Sequence, residues 1–135
     1  RAIKILKGLI AKGWNLPAAH FNLGVCYFDK GMNYEALAEF QEVLKSRPHD
    51  RDSRFNSCII YINIKKYQKA IYEFNKVLEA DEEDIHALYG LGNALEQLGL
   101  YKDAARQYGA VLKIAPDIIQ AKTSLKRVLD KAKTP

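Results

Sequence analysis

The chain has 135 residues (15.3 kDa), with 48% apolar and 27% charged side chains, a balance too apolar for disorder. Its longest apolar run, Cys58 through Ile62, is five residues, where a membrane span needs about 20, so no membrane insertion is expected. The net charge of +5 sits at the ends: residues 1–16 hold four basic and no acidic side chains, 119–135 hold five and one, and 17–118 hold 12 and 15. No continuous basic face follows from that, and no nucleic-acid partner is expected.

In chain order, the opening segment reads as an amphipathic helix with Ala2, Leu6, Leu9 and Ile10 on one face. The chain starts on Arg1 inside that pattern, so we read it as a piece of something longer. A helix is expected over 17–30 and another over 34–46, the second capped by Asn33 and stopped by Pro48. The next pair falls at 51–64, capped by Asp50, and 67–80. The acidic run Asp81-Glu82-Glu83-Asp84 reads as solvated charge and a cap for a helix over 85–98. A helix over 101–114 is stopped by Pro116. From Asp117 to about Lys131 a last helix carries an apolar stripe of Ala121, Leu125, Val128 and Leu129. Lys122, Lys126, Arg127 and Lys131 take its wet side, as a terminal capping helix requires.

These elements recur every 34 residues without an insertion. Leu23-Gly24, Tyr27, Gly31, Ala36, Phe40, Val43 and Pro48 map onto Ser57-Cys58, Tyr61, Lys65, Ala70, Phe74, Val77 and Glu82. They map again onto Leu91-Gly92, Leu95, Gly99, Ala104, Tyr108, Val111 and Pro116. Small residues at Gly24, Cys58 and Gly92 let two helices approach, and an aromatic from the second helix fills the space beside them. One such pair cannot bury its apolar face alone; stacking does.

Chemistry is sparse. Cys26 and Cys58 form no CxxC and read as small core residues. His20, His49 and His86 fall in three settings, and no nucleophile has a histidine at workable helical spacing. No catalysis, metal or cofactor is expected.

On those recurring residues the chain resembles the tetratricopeptide repeat family. The pattern matches over 17–50 and 85–118 and is weaker over 51–84, where Arg54 and Ser57 replace apolar residues and Glu82 replaces proline. The resemblance implies an all-α fold, a right-handed solenoid of antiparallel helix pairs. It divides the chain into a partial repeat at 1–16, repeats at 17–50, 51–84 and 85–118, and a cap and tail at 119–135. It also implies a scaffold that binds a peptide or helical segment of a partner in a concave groove lined by the first helices; with no catalytic constellation and no membrane or signal segment in the sequence, a non-catalytic, cytoplasmic protein is expected. The partner-binding side chains are then Phe21, Asn22, Val25, Phe28, Phe55, Asn56, Ile59, Ile62, Asn63, His86, Tyr89 and Asn93, with Glu96 and Gln97 beside them. Asn22 and Asn56 stand one repeat apart, as in an asparagine ladder that grips a peptide backbone, and Gly90 breaks the ladder. Val25 and Ile59 are open to two readings. They line the groove and select an apolar or amphipathic segment, or they are core. Members that grip a chaperone's C-terminal carboxylate use cations and amides where this chain has Phe21, Val25, Asn56, His86 and Gly90, so that partner is not expected. The alternative function is self-association through the uncovered flank of Leu6, Leu9 and Ile10.

Overall fold

Helix follows helix throughout the computed structural model, which describes residues 1–133; the last two residues of the expected tail lie outside that range. Among the described residues there are eight α-helices and no β-strand. They are α1 (Ala2–Ala11), α2 (Leu16–Asp29), α3 (Asn33–Ser46), α4 (Arg51–Asn63), α5 (Tyr67–Ala80), α6 (Ile85–Gln97), α7 (Tyr101–Ile114) and α8 (Ile119–Ala132). The 34-residue step is visible in the helix ends themselves. Second helices start at Asn33, Tyr67 and Tyr101 and stop at Ser46, Ala80 and Ile114.

The caps show why. Asp50 accepts the Ser53 N–H at 3.0 Å and Asp84 accepts the Ala87 N–H at 3.1 Å, so both first helices begin where expected. Asn33 does not cap: it lies inside α3, and the cap position is Met32, with no side-chain bond. The reason is the tight entry to every second helix. Each is reached through a left-handed residue, Gly31 (φ 74°), Lys65 (φ 62°) or Gly99 (φ 77°), two positions before its first turn. Proline is not what stops the second helices either. α5 ends in the same register as α3 and α7 although Glu82 stands where they have Pro48 and Pro116. In all three the next N–H (Arg47, Asp81, Ala115) bonds back to the valine carbonyl (Val43, Val77, Val111).

The chain forms two compact units, Arg1–Ile64 and Lys65–Pro135. In the first, α1 packs on α2, α2 on α3 and α3 on α4 around Leu23, Tyr27, Ala36, Phe40 and Ile60. A Cβ on Gly24 would lie 2.8 Å from the Phe40 ring, which is why that place must stay small. The face that α1 gives to this core is Ile3, Leu6 and Ile10, not the expected set with Ala2 and Leu9. Spacings of three and seven put Ile3 and Ile10 over the same stripe as Leu6 and leave Ile5 and Leu9 exposed.

In the second unit α5, α6, α7 and α8 pack in sequence. Leu88, Val111 and Ala121 make one cluster, and Ala104, Tyr108 and Val128 another. Gly92 repeats the Gly24 device, with a Cβ 2.7 Å from the Tyr108 ring. α8, expected as a capping helix, departs from its expected pattern in two respects. Leu129 stays exposed and Ser124 is buried instead, while Arg127, itself exposed, reaches across to the buried Glu96 carboxylate.

Candidate peptide-binding face

In the first unit, α2 and α4 position the expected side chains. Phe21 meets Phe40 edge-on at 5.6 Å between centroids, and Val25 and Phe28 lie half-buried against the same core. Asn22 is exposed. On α4, Phe55 is half-buried under the Arg51 guanidinium, 4.4 Å from the ring centroid. Asn56, Ile59 and Ile62 are half-buried and Asn63 is exposed. The set is therefore apolar bodies seated in the core with one flank in solvent, interleaved with amides.

In the second unit, α6 carries His86 (exposed), Tyr89 and Asn93 (half-buried), with Gln97 donating to the Asn93 amide oxygen at 3.4 Å. Gly90 interrupts the asparagine positions for a steric reason: a Cβ there would fall 2.3 Å from the Phe74 ring, and Phe74 is fully buried. Glu96 does not face outward. It is 8% exposed and takes two bonds from Arg127 of α8, from Nε at 2.6 Å and Nη2 at 2.9 Å. The Tyr108 hydroxyl donates to it at 2.9 Å. Arg127 also reaches Ser124 at 3.2 Å, and the Ser124 and Tyr89 hydroxyls are 3.1 Å apart. The Arg127 bonds hold the Glu96 carboxyl below its ordinary range, with burial opposing and the Tyr108 bond assisting. Burial, then the Glu96 bond, pushes the Tyr108 phenol up.

This cluster brings Tyr89 against a stretch of α8 that the sequence offers as a capping helix begun like a fourth first helix. Tyr89, Ile118, Ile119, Gln120, Thr123, Ser124 and Arg127 border an open cavity of about 660 Å³. The signal was available: adding 34 to His86, Tyr89, Gly90 and Asn93 gives Gln120, Thr123, Ser124 and Arg127, so α8 continues the first-helix register. The hydroxyls were a second signal. Tyr89 and Tyr108 stand where the other repeats have phenylalanine, and a buried hydroxyl must find a partner.

The histidines stay apart in role: His20 bonds Glu39 at 2.7 Å, and His49 and His86 are exposed. Among the described residues no cluster of candidate ligands could hold a metal ion, and no helix is long and apolar enough to cross a membrane.

The fold is thus an all-α solenoid of helix pairs with a fixed 34-residue step. Tetratricopeptide repeat profiles match residues 17–50 and 65–128, and the chain belongs to that family. Superkiller complex protein 3 of Homo sapiens is 28% identical over 98 residues, 73% of this chain but 6% of that protein. The chain therefore spans only a small part of the curated relatives it matches. Among solved structures, a double mutant of MamA superposes with a TM-score of 0.91 at 21% identity, covering 97% of this chain and 74% of MamA. The first tetratricopeptide domain of Spaghetti (RPAP3), bound to the HSP90 peptide SRMEEVD, superposes with a TM-score of 0.83 at 20% identity, covering 88% and 94%. The family is typically one of non-catalytic scaffolds for protein–protein interaction.

Proposed function

We propose that this chain is a non-catalytic, cytoplasmic interaction module holding a peptide or helical segment of a partner on its first-helix face, the concave side in the family. The observation that carries the reading is the pairing, on α2 and again on α4, of a solvent-accessible asparagine with half-buried apolar neighbours. These are Asn22 with Phe21, Val25 and Phe28, and Asn56 with Phe55, Ile59 and Ile62. Amides satisfy a peptide backbone in both directions, and the apolar flanks select an apolar or amphipathic segment. Asn63, His86, Tyr89 and Asn93 extend the same register. The net charge of −3 over residues 17–118 favours a protein over a nucleic acid. Cys26 and Cys58 as thiols suit a reducing compartment.

The Spaghetti domain binds an HSP90 peptide, but that ligand does not transfer. Phe21, Val25, His86 and Gly90 offer none of the fixed cations and amides that a terminal carboxylate needs. The test is a peptide array with retrieved sequences titrated by calorimetry. Asn22→Ala with Asn56→Ala, and separately Val25→Glu, should each weaken binding at least tenfold. Unchanged affinity in both would refute the groove.

Self-association is the second reading: of the expected flank Leu6 and Ile10 pack into the first core and only Leu9 is exposed, with Ile5 and Trp14 exposed beside it. Arg1, Lys4, Lys7 and Lys12 bring like charges to that contact, which ranks it behind. A single mass by light scattering from micromolar to millimolar chain would end it.

A further inference from the structure

The turn between α4 and α5 departs from its counterparts toward positive charge. Lys65 holds the left-handed position, at φ 62°, that the other two turns give to Gly31 and Gly99. Lys69 stands in the first turn of α5, where α3 has Glu35 and α7 has Asp103. Each choice is locally unfavourable, the first by backbone sterics and the second by the positive end of a helix. With Lys66 between them, residues 53–72 hold four basic and no acidic side chains, inside a stretch, 17–118, that nets −3. Lys65, Lys66 and Lys69 are exposed. They line an open recess of about 270 Å³ together with the half-buried Tyr67 and with Leu98 of the α6–α7 turn, which is 39% exposed. Both turns are followed by their own second helices, α5 and α7, so the opening does not depend on where the sequence ends.

We propose that this recess docks an acidic extended segment of a partner protein. One apolar side chain of the segment seats on Leu98 and Tyr67, and the carboxylates flanking it meet Lys65, Lys66 and Lys69. Two observations select that occupant. Lysines set against local preference at two positions of one rim are kept for what they contact, and the complementary charge is negative. A leucine lining a recess rewards a protruding side chain, which a peptide has and a flat bilayer surface lacks. Nucleic acid needs a basic track longer than one turn, and residues 73–118 carry nine acidic against four basic side chains. The chain's own acidic run, Asp81 to Asp84, follows the far end of α5, about 20 Å away by helix rise and beyond the screening length, so it does not neutralise these lysines. A second copy offering that run is a poor fit, because the large apolar side chain beside it, Ile85, packs into its own core.

The test is a displayed library of short peptides with one fixed leucine and randomised flanks, selected on this chain. Enriched peptides are then titrated by fluorescence anisotropy. Acidic flanks should dominate. Lys65→Gly with Lys69→Glu restores what the first repeat carries at these positions. It should weaken binding at least tenfold at unchanged helix content and without lowering the urea midpoint, so that lost binding is not lost folding. The same variant should gain affinity for the peptide carrying lysine flanks. Leu98→Gln should weaken binding at least threefold. Asn22→Ala with Asn56→Ala should change nothing, which separates this recess from the groove. The proposal is overturned if acidic flanks are not enriched or if either recess variant binds normally. It is also overturned if phosphatidylserine vesicles or single-stranded DNA bind with the same variant dependence, or if a dimer seen by light scattering is lost in Lys65→Gly with Lys69→Glu.

Discussion

Ser53 is completely buried, and its Oγ has no hydrogen-bond partner. Its backbone is nevertheless secure. The N–H donates to Asp50 Oδ2 at 3.0 Å, and the carbonyl accepts the Ser57 hydroxyl at 2.9 Å. Stepping by 34 in either direction gives Ala19, Ala87 and Ala121, all buried, so alanine suits this place in every other unit. Ser53→Ala should therefore stabilise the fold. An orphaned buried hydroxyl costs about 1–3 kcal/mol. Deleting one oxygen forfeits a handful of contacts worth about 0.1–0.2 kcal/mol each. The net gain is about 1 kcal/mol, or roughly 3–5 °C in Tm for a chain of this size. Urea titration followed by far-UV circular dichroism should show a raised midpoint at constant slope. Ser57→Ala is the control of opposite sign: Ser57 is buried too, but its hydroxyl is bonded, so its loss costs about 0.5–1.5 kcal/mol. A midpoint for Ser53→Ala at or below the parent would refute the reasoning, because the oxygen would then be earning its place through packing or a bound water.

The remaining expectations use the same titration. Lys65→Gly should gain up to about 1 kcal/mol, because a lysine at φ 62° carries a left-handed penalty of about 1–2 kcal/mol, partly offset by glycine's unfolded-state freedom; a loss would show that the lysine stem packs usefully there. Gly90→Ala should cost about 1–3 kcal/mol by overpacking Phe74, and Phe74→Leu in the same chain should recover part of it, with additive effects refuting the contact. Glu96→Gln should cost about 1–2 kcal/mol at pH 7, a range held down by the 44% exposure of Arg127. Because the folded Glu96 carboxyl lies below its ordinary 4.5, its contribution is full above that value and is lost as pH falls through the depressed one. The gap between parent and Glu96→Gln should accordingly close in acid; a gap independent of pH would refute the ion-pair account.

Most of the fold was legible because it repeats. Gly24, Gly92, Phe40 and Tyr108 each state a packing requirement, and a fixed period turns four such statements into helix pairs. What escaped was of two kinds. Local geometry overrode side-chain preference at Asn33, where a left-handed turn residue leads straight into the helix. The face of α1 was misjudged because Ala2, Leu6, Leu9 and Ile10 fit a helical stripe nearly as well as Ile3, Leu6 and Ile10; only the partner helix decides between them. The second kind is contact between side chains far apart in sequence. Glu96 and Arg127 are 31 residues apart on different helices, and each alone looks like an ordinary wet-face charge. The break at Gly90 likewise needed the Phe74 ring, from the preceding second helix, to explain it.

The Glu96–Arg127 pair raises the question of why α8 should be held to α6 by charge. The same register offset in the first unit places Phe28 and Ile59, both half-buried and apolar. An apolar solution was therefore within reach of this sequence pattern, and an ion pair on a buried carboxylate seldom stabilises more than well-packed hydrocarbon. Its advantage is directional. Arg127 forks onto both Glu96 oxygens and touches Ser124, while the Tyr108 hydroxyl donates to the same Oε1 that Arg127 Nη2 reaches, a set of directed bonds that favours one register of α8. Grafting the first-unit residues tests this: Glu96→Phe, Arg127→Ile and Tyr108→Phe together, which leaves the Tyr89–Ser124 bond intact. The triple variant should match or exceed the parent in stability, unlike Glu96→Gln alone. It should also lose definition at α8, read as faster amide exchange and broadened resonances over residues 119–132. A triple variant less stable than Glu96→Gln would mean that the network is the stabilising element and that register has nothing to do with it.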